Sequence, residues 1–294
     1  MIPTADDGIQ LSITTLITMN SMGAKISRRL SEGWRAGSHL SNRKGRGMDF
    51  AEVRPYTAGD DVRNIDWNIT ARTGKPHTKQ FREERDRSVY VLLDLSKDMY
   101  FGSKGQLKAR LATILAAAVS WQTLDSGDKI GGLVIGPDAS VIQTPKGHRK
   151  AILQWLKHIL ECYQQGIQAP YSNVDIETGL KAILNIARPG SKLIVISDFY
   201  RASSRSFLLL RHLRKRHDLN IIQVYDALER RIEGSGTIKV ENPQQAGYLL
   251  DDDEFKKHYE KVASYRQYEL EKNLVVHARE FSMFDSAKEL SEQI

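Results

Sequence analysis

Hydrophobic positions along this chain fall into two rhythms. From residue 88 to 225, apolar runs of strand length alternate with stretches whose apolar residues recur at helical spacing. Val-Tyr-Val-Leu-Leu before Asp94, Leu-Ile-Val-Ile before Ser197 and Asp198, and Ile-Ile-Gln-Val-Tyr before Asp226 are apolar enough to be buried on both faces. Strands of that kind belong to a parallel sheet covered by helices. The pattern predicts strands at 88–94, 129–135, 140–144, 192–198 and 219–225, with helices at 106–124, 148–164, 175–187 and 204–217. Gly136-Pro137-Asp138-Ala139 reads as a hairpin turn, and strand 219–225 closes the series.

Outside that region the rhythm weakens. Residues 8–32 carry apolar positions at helical spacing, and Gly33–Gly47 is polar and loop-like. Residues 45–87 mix glycine, proline and charge with single aromatic residues. They are too poor in apolar positions for a core of their own, and His77–Phe81 is a short strand. Beyond Asp226, 237–240 and 246–250 read as an antiparallel pair. Residues 252–277 read as a long helix with Phe255, Tyr259, Val262, Tyr265 and Leu270 on one face. Residues 279–294 read as a strand or loop and a closing helix. The expected division is 1–87 as a helix plus basic extension, 88–228 as an α/β domain, and 229–294 as a C-terminal extension packed on it.

Composition narrows the class. With 294 residues, 40% hydrophobic and 27% charged, the chain can bury a full core. The single Cys162 excludes an intramolecular disulfide and reads as a small core residue suited to a reducing compartment. No apolar run approaches the roughly 20 residues of a membrane span, and the first residues lack the features of a signal peptide. A cytoplasmic protein is expected. The net charge of +7 is concentrated: residues 25–87 hold 15 Lys and Arg against 9 Asp and Glu. A basic face favours nucleic acid, anionic lipid or acidic partners, although a solvated surface with internal ion pairs is the plainer reading.

Ligands of parallel sheets bind beyond the carboxyl ends of the strands, where Asp94, Ser96, Asp98, Asp198 and Asp226 gather; the turn around Asp128 is a weaker member of the set. Two carboxylates and a hydroxyl at alternate positions of Asp94-Leu95-Ser96-Lys97-Asp98 are hard oxygen ligands suited to Mg²⁺ or Mn²⁺. The same side chains could instead satisfy backbone donors and cap the next helix. Histidines show no zinc spacing, and no Walker loop, nucleophile elbow or dinucleotide fingerprint is present. Trp34, Trp67, Trp121 and Trp155 read as packed. Arg54, Arg63 and Arg72, with Asp60, Asp61, Asp66, Trp67 and Asp226, read as a clamp holding the extension to the α/β domain or, alternatively, as a set that contacts a partner.

The Asp-x-Ser-x-Asp loop, the Gly127-Asp128-Lys129-Ile130-Gly131 turn and the Ile196-Ser197-Asp198 strand end resemble a von Willebrand factor A domain. Upstream, the run Gly47-Met48-Asp49-Phe50-Ala51-Glu52-Val53-Arg54-Pro55-Tyr56, then Gly59-Asp60-Asp61-Val62-Arg63-Asn64-Ile65-Asp66-Trp67 and Ala71-Arg72, resembles the bacterial domain-of-unknown-function 58 family, as does Asp226-Ala227-Leu228-Glu229. The resemblance implies a three-layer α/β fold with a mostly parallel sheet. It also implies a MoxR-type AAA+ ATPase, or its client, as partner of an adaptor or chaperone-like module. Adhesion sites of von Willebrand domains use Asp-x-Ser-x-Ser, a threonine and a further aspartate to hold a divalent ion. Asp94, Ser96 and Asp198 match that set; Asp98 replaces the second serine, and Val174 stands at the threonine position, with Thr178 one turn further on. A non-enzymatic interaction module is expected, docking through the acidic edge with or without Mg²⁺ or Mn²⁺. Nucleic-acid binding by the basic segment and metal-dependent hydrolysis are the alternatives.

Overall fold

A computed structural model describes residues 8–23, 25, 48–83, 87–136, 140–168, 174–232, 238–242, 245–249 and 253–294. The expected loop at 33–47, the hairpin turn at 137–139, Trp34 and the far end of the first helix lie outside the described residues. Those described form two compact units, one drawn from residues 1–34 and 87–294 and the other from 35–86.

The larger unit is built on a six-stranded sheet: β3 (Ser88–Asp94), β4 (Lys129–Ile135), β5 (Ser140–Lys146), β6 (Lys192–Ser197), β7 (Asp218–Tyr225) and β10 (Glu280–Asp285). Their order is β10-β7-β6-β3-β4-β5, and β5 alone runs antiparallel to its neighbour. Side chains alternate across the sheet with the two-residue period of a strand. Val89, Val91 and Leu93 join one core with α1 (Ile13–Thr18), α3 (Lys108–Asp125) and α4 (Arg149–Gln168). Tyr90 and Leu92 join a second with α5 (Ile176–Ile186), α6 (Ser204–Arg216) and α7 (Asp253–His277). Helices therefore cover both faces, which is why the strands are apolar throughout. Full burial of each such side chain contributes about 1.5–3 kcal/mol.

Helix α3 lies at the centre of its layer and is buried nearly all round. Its polar residues are satisfied internally: the hydroxyls of Thr113, Ser120 and Thr123 donate to the carbonyls four residues back. The short α1 packs here, with the Trp121 indole donating to the Leu16 carbonyl at 3.0 Å and Arg110 to that of Gln10 at 3.1 Å. The first helix thus belongs with the α/β unit, not with the basic segment. Trp155 is packed as expected and donates to Ser120 Oγ, and Cys162 is buried in the same core.

Three sequence readings are corrected. Strand 219–225 does not close the sheet, because β10 pairs parallel with β7 from Glu280↔Asn220 to Asp285↔Tyr225. The closing segment after it is a single turn of 3-10 helix, Leu290–Glu292. On α7 the expected apolar stripe is largely in solvent. Phe255, Val262 and Tyr265 are exposed, and Leu270 and Leu274 meet the core instead. Gly131 and Gly132 serve packing: a Cβ on either would lie 2.5 Å or less from the backbone of β5 or β3. Between β7 and α7, β8 (Ile238–Asn242) and β9 (Gln245–Leu249) form the predicted antiparallel pair.

In the smaller unit, β1 (Met48–Pro55) pairs antiparallel with β2 (His77–Glu83), with a register shift between Phe50 and Glu52. A 3-10 turn at Val62–Asn64 and α2 (Trp67–Thr73) connect them. Asp66 caps α2, accepting from the backbone of Asn68 and Ile69, and Gly74 ends it in a left-handed conformation at φ 71°.

Candidate functional site at the carboxyl rim of the sheet

Strand order reverses between β3 and β6: the chain leaves β3 towards β4 and leaves β6 towards β7. Loops diverge at such a switch point and leave a crevice at the carboxyl ends. Asp94 ends β3 and Asp198 follows β6, so the topology itself brings them together. Both are buried. Asp94 Oδ1 accepts from the Ser96 backbone at 2.9 Å, and its Oδ2 accepts from Ser197 Oγ at 2.6 Å. Burial and the neighbouring Asp198 charge push its carboxyl up to about 6. The reading in which Asp94 satisfies a backbone donor is thus realised.

Asp198 is held differently. Its Oδ2 lies 2.6 Å from the ammonium of Lys108, which also sits 2.5 Å from Glu229 Oε1. Lys108 is 0% exposed. Burial opposes its charge, but the carboxylates of Asp198 and Glu229 outweigh that and hold it above the ordinary lysine value. It is also the first residue of α3, where the helix dipole disfavours a cation. Asp98 is engaged by Arg201.

The segment after β6 makes a tight turn. Phe199 is buried at φ 55°, a left-handed conformation that a bulky residue adopts only when its surroundings impose it. Ser197 Oγ accepts from the Phe199 backbone at 2.9 Å and Asp198 Oδ1 from that of Tyr200 at 2.8 Å. The turn projects Tyr200, 47% exposed, and Arg201 outwards. Arg266 of α7 stacks on the Tyr200 ring at 3.6 Å and donates to its carbonyl at 2.7 Å. Beside them lies a small cleft lined by Asp198, Tyr200, Tyr225, Glu229, Arg230 and Arg266.

Asp226 is fully buried at the end of β7 and faces the protein. It accepts from Ser103 N at 2.9 Å, Ser103 Oγ at 2.5 Å, Ser286 Oγ at 2.8 Å and Leu228 N at 2.9 Å. It ties together the loop before α3, the end of β7 and the segment after β10. Asp128 is corrected: it precedes β4 at the opposite end of the sheet and accepts from the Arg87 backbone. Val174 packs against the second core, and Thr178 Oγ1 donates to Asp175 at the cap of α5.

These donors do not fit a divalent cation. Asp198 and Glu229 hold an ammonium, Asp98 holds a guanidinium, and Asp94 accepts from a backbone amide and a hydroxyl. Among the described residues no group of three or more His, Cys, Asp or Glu side chains is arranged to hold a metal.

Several residues of the expected clamp pair with one another within the smaller unit. Arg54 pairs with Asp60 at 2.7 Å, and Asp60 also accepts from the Thr57 backbone. Arg63 pairs with Asp61 at 3.2 Å, Lys79 lies 3.5 Å from Asp66, and Arg72 stands exposed in the last turn of α2. Asp66 is held below the usual carboxylate range, chiefly by the Ile69 backbone hydrogen bond. Trp67 does not pack as expected: it is 70% exposed.

Lys108, Tyr200, Arg201 and Arg266 were not singled out from the sequence; Ser197 and Glu229 entered only as members of motif strings, without a role. One signal was available for Lys108, a lysine opening an otherwise apolar helix against the dipole.

The profile of the family described as protein of unknown function DUF58 matches residues 52–269. The chain belongs to this family. Uncharacterized protein Rv1480 of Mycobacterium tuberculosis and uncharacterized protein Mb1516 of Mycobacterium bovis are each 26% identical over 211 residues, 71% of this chain. The chain spans 64% of the length of those relatives. Among solved structures, conserved hypothetical protein BatB from Bacteroides thetaiotaomicron aligns with TM-score 0.43 at 14% identity, covering 70% of this chain and 93% of that one. An aerotolerance-related membrane protein from Bacteroides fragilis, carrying multiple mutations to serines, aligns with TM-score 0.41 at 15% identity, covering 68% and 93%. Among the described residues, no helix of this DUF58 protein is long and apolar enough to cross a membrane.

Proposed function

We propose that this DUF58 protein is a non-enzymatic interaction module whose α/β unit is von Willebrand factor A-like and docks a partner at the carboxyl rim of its sheet. The strand order, with a single antiparallel edge strand beyond β4, supports the A-like reading. One observation carries the docking reading: a strained turn, braced from below by Ser197 and Asp198, presents Tyr200 and Arg201 to solvent. Strain of this kind concentrates at working surfaces, and exposed Tyr and Arg are the side chains that dominate binding energies. The carboxylates beneath are engaged by cations and backbone donors of the chain itself, which suits a supporting role over a catalytic one.

A MoxR-type AAA+ ATPase, or its client, is the partner that the motif resemblance favours, with this chain as adaptor in a cytoplasmic setting. Removing Asp94 and Asp198 would test folding as much as docking, because both are buried. Tyr200→Ala with Arg201→Gln is the better variant, since both side chains are exposed and no new carboxylate is set against Asp98. Binding of a purified MoxR-type ATPase should weaken at least tenfold, with the thermal transition unchanged. Equal affinity of the folded variant would remove the rim from consideration.

A further inference from the structure

We infer that the Lys108 ammonium is a built-in substitute for a divalent cation: it pairs with the Asp198 and Glu229 carboxylates from inside the chain and makes this part of the rim independent of free metal. The position of the lysine argues for this. It is fully buried, it opens α3 where the helix dipole repels a cation, and it bridges carboxylates more than 80 residues away, 2.6 Å from Asp198 and 2.5 Å from Glu229. A buried ammonium is tolerated only when its charge is matched, so the two carboxylates are the reason for its placement. Glu229 is itself fixed from the other side, its second oxygen accepting from the Asp226 backbone at 3.1 Å. The ammonium also lies over the rings of Phe101 and Tyr200, 5.8 and 6.0 Å from their centroids. The neighbouring carboxylate shows the same chemistry, since Asp98 is neutralised by Arg201. An ammonium tethered by its own chain has no concentration dependence and is indifferent to chelators.

The test is thermal unfolding of the full chain in EDTA and in millimolar Mg²⁺, Mn²⁺ or Ca²⁺. The native protein should show the same transition in all four, within about 1 °C. Lys108→Ala should have a lower transition in EDTA and recover several degrees with Mn²⁺, through preferential binding to the folded state. Lys108→Met keeps most of the stem's volume with both carboxylates in place and serves if the alanine variant does not fold in EDTA; Mn²⁺-dependent recovery of its folded circular dichroism is then the expected result. A native transition raised several degrees by a divalent ion would overturn the inference. So would variants that gain nothing from Mn²⁺. No partner takes part in this measurement, so it stands or falls separately from the docking proposal.

Discussion

Charged side chains are used differently at the rim of the larger unit and in the Arg54–Arg63 segment of the smaller one. At the rim of the larger one, Lys108 joins Asp198 and Glu229, residues 90 and 121 positions away, and Asp226 holds Ser103 and Ser286 across 123 and 60 positions. All of these lie wholly or partly below the surface. In the smaller unit Arg54 pairs with Asp60 and Arg63 with Asp61, six and two positions apart, in or near solvent. Short-range pairs shape a turn; long-range buried ones decide which loops meet. The energetic weight differs accordingly, because an exposed pair contributes roughly 0–1 kcal/mol, whereas breaking a buried one costs about 3–5 kcal/mol.

The contrast can be broken at several points. Asp226→Ala removes the acceptor for two hydroxyls and two backbone amides at a fully buried position. It should lower stability by about 3 kcal/mol, since hydrogen bonds to a charged group contribute about 1.5–3 kcal/mol each and partial relaxation recovers some of the loss. Urea unfolding would measure it, and a loss below about 1 kcal/mol would place Asp226 with the exposed pairs.

Asp94 gives a pH test. Its folded-state carboxyl is raised from 3.8 to about 6. Between those values the folded protein holds a proton that the unfolded chain has released, so the contribution of this group is full below pH 3.8 and is lost as pH rises through 6. Asp94→Asn should therefore gain on the native protein by about 2 kcal/mol between pH 4 and pH 7. Parallel stability curves for the two would show that the carboxyl is not perturbed by its surroundings.

The smallest effect belongs to the smaller unit. Arg63→Ala should change stability by less than about 0.5 kcal/mol, because the pair with Asp61 is solvated. Trp67→Ala should do likewise for want of buried area. A loss of 2 kcal/mol from either would erase the distinction between the units.

That contrast also explains what could be read beforehand. Strand positions 88–94, 129–135 and 192–197 were legible because burial on both faces leaves an unbroken apolar run. Convergence of Asp94 and Asp198 was legible because both follow such runs. The stripe on α7 was misassigned because Phe255, Val262 and Tyr265 satisfy helical spacing without facing the core. Strand β10 was left open between strand and loop by its polar positions, with Glu280 and Ser282 in an edge strand that needs less apolar surface. Lys108 was hidden for a different reason: its partners lie in two other loops, and no local pattern encodes a meeting across 90 residues. Neutralisation of the rim is a tertiary property, whereas the Gly-Asp-Asp-Val-Arg run carries its hydrogen bonds within a few residues and is visible as a motif.

The edge position of β10 has a consequence for biosynthesis. Translation delivers this strand last of the six, after β7 has already been made 54 residues earlier. Until Glu280–Asp285 arrives, β7 offers its backbone amides and carbonyls to any extended peptide nearby. Ser286 then reaches Asp226 and latches the newcomer in place. A nascent chain stalled before residue 280 thus leaves β7 as an open edge of the sheet, the form in which mispairing is easiest.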